Sequence, residues 1–345
     1  PILIGDLIVK PENGLMYQSR DAAWHPGVVD GMGKRNIRVN ADGFGVAWYS
    51  RPTIDDEGKQ LLESGEMTDS VTGLREHMYE SCTFKFITPA WSNRNLKNIG
   101  QHVQSSLVFA HIRAGSTGLN IVDSLNVSVT EENCHPFRFR QWTFMHNGGV
   151  PSFHLIKYPL MQILDEDSFN GISGNTDSEY IFALFLSLLP DKHDLNVNLK
   201  VFAETVEKTI ACILQLCETY SCPFNKNKGY TPACSLNLVI TDGCHMIATR
   251  FRTGCHAPQG HSGSEPPSLY YNWGSNFVCE EGQFFMGDRK DGCGCGSPNE
   301  IVISSAPLSK CDDMVLDTRD LSSSSYPMGM RVDRNNMDGS RSNIS

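Results

Sequence analysis

Residues 174–190 read GNTDSEYIFALFLSLLP, and this stretch defines a helix at both ends. Thr176 with Glu179 three positions on is a capping-box pattern, a hydroxyl and a carboxylate placed to meet the free N–H groups of a first turn. Pro190 stops the run, because it has no N–H to donate and its ring clashes with the preceding turn. Ile181, Leu184, Phe185 and Leu188 fall on one face of the expected helix, Asp177 to Leu189. A second helix is expected over Leu199 to Tyr220, with Phe202, Val206, Ile210, Ile213 and Cys217 on its apolar face.

Strand-like sequence flanks this helical pair. Upstream, Gly45 to Tyr49, Leu107 to His111, Gln141 to Met145 and Ile4 to Val9 read as strands. Downstream, Ser235 to Ile240 and His245 to Phe251 alternate across Thr241-Asp242-Gly243, a hairpin signal because Asp-Gly accepts positive φ. Leu269 to Trp273 and Glu300 to Ser304 continue the pattern. Strands, then two helices, then strands, without βαβ alternation, give an α+β domain of mainly antiparallel sheets. That domain is expected over residues 1–310, with 311–345 a C-terminal extension, polar and structureless from about residue 322. Thr253 to Pro267 and Gly292 to Pro298 read as loops.

Composition narrows the function. The 345 residues carry a formal charge of −10, against a nucleic-acid partner, whose phosphates call for clustered Lys and Arg. No run reaches the roughly 18 apolar residues of a membrane span, and the opening residues lack the pattern of a secretory leader. The expectation is a soluble, cytoplasmic enzyme. Of the 12 cysteines only Cys293 and Cys295 are tightly spaced. Their C-x-C spacing falls short of the usual C-x₂₋₄-C, so free thiols are favoured over a zinc site completed by Cys279 or His245.

Five segments carry the chemistry: NADGFGVAWY at 40–49, FAHIRAGS at 109–116, NCHPF at 133–137, WTFMHNGG at 142–149 and GNTDSE at 174–179. Their order, at strand ends and a helix start, resembles the class II glutamine amidotransferases of the N-terminal-nucleophile hydrolase superfamily. More narrowly, it resembles the branch that holds the glutathione-degrading subunit and the γ-glutamyl hydrolase of ergothioneine biosynthesis. The resemblance covers roughly Pro1 to Leu308, with SSAPL at 304–308 departing from the branch at Ala306, where a glutamate is usual. It implies a four-layer αββα sandwich and hydrolysis of a γ-glutamyl amide, with no metal or organic cofactor. Glutathione is the leading substrate and glutamine fits the same head-group residues; a peptidase-type or other partner subunit is an alternative to acting alone.

The resemblance also assigns roles. Arg113 matches the arginine that grips the substrate α-carboxylate, a task suited to a guanidinium fork. Asp177 matches the aspartate that takes the α-ammonium, its charge favoured by the first turn of a helix. Asn147 and Gly148 match the oxyanion hole, although Asn-Gly by itself reads as a hairpin turn. His111, with His135, matches pocket-shaping positions beside the substrate. Asn40, Asp42, Gly43 and Gly45 form a glycine-rich strand entry where backbones come close.

The class uses an N-terminal cysteine as nucleophile and its free α-amine as base. Here residue 1 is proline, and the first cysteine is Cys82, in an unrelated segment. PILIGDLIVKPENGLMYQS resembles the family segment that begins about ten residues after the catalytic cysteine, so the nucleophile is expected upstream of Pro1. The alternative is an inactive γ-glutamyl-binding or scaffold subunit.

Overall fold

The computed structural model describes residues 1–21, 39–49, 80–114, 128–222, 233–253, 267–274, 276–287, 300–309, 315–316 and 329–333. In chain order the first elements are β1 (Ile2–Leu3), α1 (Ile4–Ile8), α2 (Leu15–Arg20), β2 (Phe44–Tyr49), β3 (Ser81–Phe86) and α3 (Arg94–His102). There follow β4 (Gln104–Ser105), β5 (Val108–Ile112), β6 (Phe137–Phe139), β7 (Trp142–Gly149), α4 (Phe153–Met161) and α5 (Glu166–Asn170). Next come α6 (Asp177–Leu188), α7 (Leu199–Leu216), β8 (Ser235–Thr241), β9 (His245–Thr249) and β10 (Tyr270–Gly274). The last are β11 (Asn276–Glu280), β12 (Gln283–Gly287), β13 (Glu300–Ser304), β14 (Val315–Leu316) and β15 (Gly329–Asp333).

Two antiparallel sheets form the centre, a three-stranded one ordered β3-β2-β5 and a five-stranded one ordered β15-β9-β8-β7-β6. Side-chain alternation assigns their faces. Phe44 and Val46 of β2 pack with Ile4, Ile8, Ala90 and Leu96 in one core. Trp142 and Phe144 of β7, with Leu238 and Ile240 of β8, pack against Ile181, Phe185 and Phe202 in another. The opposite faces of the sheets meet each other. The Tyr49 hydroxyl donates to the Gln141 carbonyl at 2.7 Å and lies 2.8 Å from Thr143 Oγ1, which is also 2.8 Å from Ser81 Oγ. The order is therefore helix, sheet, sheet, helix: an α+β, four-layer αββα sandwich. Smaller sheets, β13-β10-β14 and the β11-β12 hairpin, flank it.

The Gly45 close approach is severe: a Cβ there would sit 2.0 Å from the His135 carbonyl oxygen. At Gly43, φ is +117° and a Cβ would meet Cys134 Sγ at 2.7 Å. The glycines of the 40–49 segment thus let one sheet approach the segment that enters the other.

Three expectations are corrected. Ile4 to Val9 is not a strand: after β1 the chain turns into α1, whose Ile4 and Ile8, a helical turn apart, are 0% and 1% exposed. Gly5 packs on Gly100 of α3 so closely that a Cβ would meet its carbonyl oxygen at 2.6 Å, so helix packing overrides β-branched propensity. In the extension expected to be structureless, Gly329–Asp333 pairs antiparallel with β9 in register Gly329↔Thr249, adding an edge to the larger sheet. The long helix also ends early as an α-helix, at Leu216, with a wider π turn over Cys217–Ser221. The 254–266 part of the first expected loop, Gly292 to Pro298 with Cys293 and Cys295, and residues 115–116 of the FAHIRAGS segment lie outside the described residues.

Candidate functional site

The capped start of α6 anchors the site. Thr176 Oγ1 accepts the Glu179 N–H at 3.2 Å, as the capping pattern requires. The Glu179 side chain goes elsewhere: its two oxygens accept the N–H groups of Ser173 at 2.8 Å and Gly174 at 2.7 Å, fixing the turn before the helix. Asp177 is held by backbone donors, Oδ2 accepting from Val150 at 2.8 Å and Oδ1 from Ser178 at 2.8 Å. A carboxylate so oriented keeps lone pairs for an incoming ammonium.

Arg113 follows β5 and is 7% exposed. Its backbone N–H donates to the Gly43 carbonyl at 2.8 Å and its carbonyl accepts from Asp42 at 3.2 Å, tying it to the glycine turn. Nη2 donates to the Ser128 carbonyl at 3.1 Å, whereas Nη1 is buried without a hydrogen-bond partner. Native proteins rarely leave a buried donor unpaired, and at a candidate site such a donor points to a missing acceptor.

Asn133, 1% exposed, joins these two groups. Its Nδ2 donates to the same Ser128 carbonyl at 2.8 Å and to Asn175 Oδ1 at 2.9 Å, while its Oδ1 accepts the Asn175 N–H at 2.9 Å. The cation and the carboxylate expected to read opposite charges of one head group are thereby set on a common frame. Asn133 stands in the quoted NCHPF segment, but nothing in its residue type marks it as this bridge.

Asn147 and Gly148 lie within β7, paired with Asn237 and Leu236, not in a turn. Val150, three residues beyond Asn147, donates to Asp177. Alternation puts Asn147 on the inner face with Thr143, and among the described residues its amide has no hydrogen-bond partner. Gly148 could not carry a Cβ, which would lie 2.1 Å from the Ser235 carbonyl oxygen. His146, on the helix side, donates from Nε2 to that carbonyl at 2.9 Å; in its neutral form Nδ1 then accepts from the Ser178 hydroxyl at 2.9 Å.

His111 sits on the inner face of β5 with its ring 4.3 Å from that of His135, and its Nδ1 is enclosed without a partner. Burial, with the nearby His146 and Arg113, lowers its pKa to about 4. Burial likewise holds His135 well below the ordinary histidine value, with His111 adding to the shift. Both rings are neutral near pH 7, as pocket walls would be. The Cys134 thiol lies against Arg113; burial pushes its pKa up, and the Arg113 and Lys85 charges pull it back. Cys82 is exposed at the far end of β3 from Phe86, which pairs with Phe44 near the Arg113 turn. Among the described residues no His, Cys, Asp or Glu cluster could hold a metal ion.

The family model described as class-II glutamine amidotransferases matches residues 83–219, which include Arg113, Asn133, Asn147 and Asp177. Over 314 residues the chain is 31% identical to the probable glutamine amidotransferase DUG3 of Saccharomyces cerevisiae, covering 89% of this chain and 73% of the yeast protein. The chain belongs to the class II glutamine amidotransferases. Among solved structures, a glutamine aminotransferase class-II domain protein from Silicibacter pomeroyi is similar at 26% identity and a TM-score of 0.42, over 66% of this chain and 74% of that one. A predicted glutamine amidotransferase from Pseudomonas aeruginosa is similar at 18% identity and a TM-score of 0.36, over 80% and 81% of the two chains. Membership of the class II amidotransferases rests on the sequence relationship to the yeast protein.

Proposed function

We propose that this class II amidotransferase chain hydrolyses the γ-glutamyl amide of a small molecule, with glutathione the leading substrate and glutamine the alternative. The observation that carries the reading is the Arg113–Asn133–Asp177 frame, in which the buried Arg113 Nη1 has no partner. An α-carboxylate would supply the missing acceptor, and the α-ammonium would meet Asp177. That places the amide end of the substrate toward Asn147 and Gly148, whose side-chain NH₂ and backbone N–H would receive the oxyanion.

The reaction requires a cysteine thiolate, which this reading draws from an N-terminal residue preceding Pro1. The thiolate attacks the amide carbon, the C–N bond breaks as the leaving amine takes a proton, and water cleaves the γ-glutamyl thioester to glutamate. Arg113 and Asp177 act at the non-reacting end and position the amide. None of the eight described cysteines is in a disulfide. No helix among the described residues is long and apolar enough to cross a membrane.

The test is glutamate release from glutathione and from glutamine, by the form bearing its native N-terminus and by the Pro1-initiated chain. Release by the longer form alone supports the reading and names the substrate. Saturable γ-glutamyl binding without release by either form moves the weight to a binding or scaffold subunit.

A further inference from the structure

Away from the γ-glutamyl site, β3 and β6 are edge strands of the two central sheets. Between them, floored by α6, lies a cleft of about 620 Å³, within the usual range for small-molecule sites. Its apolar walls are Phe84, Phe137 and Phe182. Lys85 projects into it with Nζ 5.0 Å from the Phe137 ring centroid, and among the described residues it has no hydrogen bond or ion pair. Burial lowers the pKa of this amine, while Cys134, Glu179 and Glu132 act to raise it.

The other charges lining the cleft are differently committed. Arg138 donates to the Ser81 carbonyl at 3.0 Å and lies 3.4 Å from Glu80. Glu179 accepts two backbone N–H groups, and Glu131 and Glu132 stand exposed at the rim. A simple anion would gain Lys85 but enter a cleft that also holds carboxylates; a simple cation would meet Lys85. A molecule with both charges avoids each conflict.

We propose that this cleft is a second ligand site, for a small zwitterion of the amino-acid or dipeptide class with an apolar side chain. Its carboxylate meets Lys85, its ammonium faces Glu132 and Glu179, and its apolar body lies on Phe84, Phe137 and Phe182. The Phe137 ring shares Lys85 as a cation–π partner, so a bound carboxylate adds to an existing placement instead of ordering a free side chain. The proposal is independent of the hydrolase reading, since binding is measured without turnover.

The test is calorimetric titration of the intact chain with L-phenylalanine, L-leucine and glycyl-L-phenylalanine, with 3-phenylpropionate and 2-phenylethylamine as single-charge controls. Expected is millimolar or tighter binding of at least one zwitterion, with L-phenylalanine at least about tenfold tighter than either control. Lys85→Gln should weaken it about tenfold, and Ala183→Phe, which fills the cleft wall, should abolish it while circular dichroism stays native. Arg113→Ala should leave it intact. Binding lost in Arg113→Ala but kept in both cleft variants would place the ligand in the head-group site and overturn the proposal. So would equal binding of a single-charge control, or no heat from any of the zwitterions at about 20 mM.

Discussion

Replacing Asn133 with alanine tests the frame that joins Arg113 and Asp177, the two proposed head-group residues. The side chain makes hydrogen bonds to Ser128 O, Asn175 Oδ1 and Asn175 N at 2.8–2.9 Å, and it is 1% exposed. At roughly 0.5–1.5 kcal/mol net per bond, three such bonds contribute about 1.5–4.5 kcal/mol. Asn175 is half-buried, so water can replace part of this and about 2–3 kcal/mol is the expected loss in urea unfolding. In the active form, Arg113 and Asp177 lose their common support while Asn147 and Gly148 keep their strand pairing. KM for γ-glutamyl substrates should therefore rise about tenfold or more, with kcat changing less. Asn133→Asp is the informative companion: it keeps the acceptor for Asn175 N–H, loses both donors and adds a charge beside Arg113. A loss of stability below about 0.5 kcal/mol in Asn133→Ala, with KM unchanged, would refute the frame.

Arg113→Ala should raise KM for glutathione or glutamine more than it lowers kcat, because its proposed contact is with the non-reacting end; steady-state kinetics showing an unchanged KM would remove the assignment. Asn147→Ala should lower kcat by roughly 10²–10³, the scale for one oxyanion donor, and a negligible change would leave Asn147 a structural strand residue. Gly45→Ala should fail to fold or lose most of its stability, since its Cβ would fall 2.0 Å from the His135 carbonyl oxygen; a native melting temperature would contradict the close approach. His111 predicts an acid-side loss of stability. Its folded pKa of about 4 lies below the ordinary 6.5, so the unfolded chain binds the proton first. The His111 contribution is whole above pH 6.5 and falls away as pH drops to about 4, by about 3 kcal/mol. His111→Gln should flatten that part of the stability profile, and an unchanged slope would argue against a neutral buried ring.

The legible parts of the fold were those where local chemistry and tertiary demand coincide. Thr176 caps α6 and α6 ends just before Pro190, because a missing donor and a free hydroxyl act through the nearest turn. The β8–β9 hairpin formed over Thr241-Asp242-Gly243, with Asp242 accepting the N–H of Cys244 at 2.8 Å. What sequence hid was set by distant partners. Two of the five α1 residues, Ile4 and Ile8, are β-branched, and it is their burial against Ala90 and Leu96 together with the Gly5–Gly100 contact that makes a helix there preferable. The helix α4 carries Pro159 inside it, which by itself reads as a break. β15 adds to a sheet edge at β9, and nothing in polar tail sequence marks such pairing.

The Asn147-Gly148 pair shows how the site itself resolves an ambiguity that propensity leaves open. Alone, the dipeptide favours a two-residue hairpin, yet here it is held extended by pairing with Asn237 and Leu236 across β8. Gly148 is required because the Ser235 carbonyl occupies the space of a Cβ, and that carbonyl in turn accepts a hydrogen bond from His146 Nε2. His146 contacts Ser178, the residue after Asp177, so the proposed oxyanion donors and the ammonium acceptor share one buried support. Such a support is stable without substrate, whereas the unpaired Arg113 Nη1 is not: an orphaned buried donor costs roughly 1–3 kcal/mol. A scaffold with no ligand could relieve that cost by many substitutions at position 113. Its presence beside a satisfied Asn133 bridge is what favours a bound carboxylate over an idle pocket.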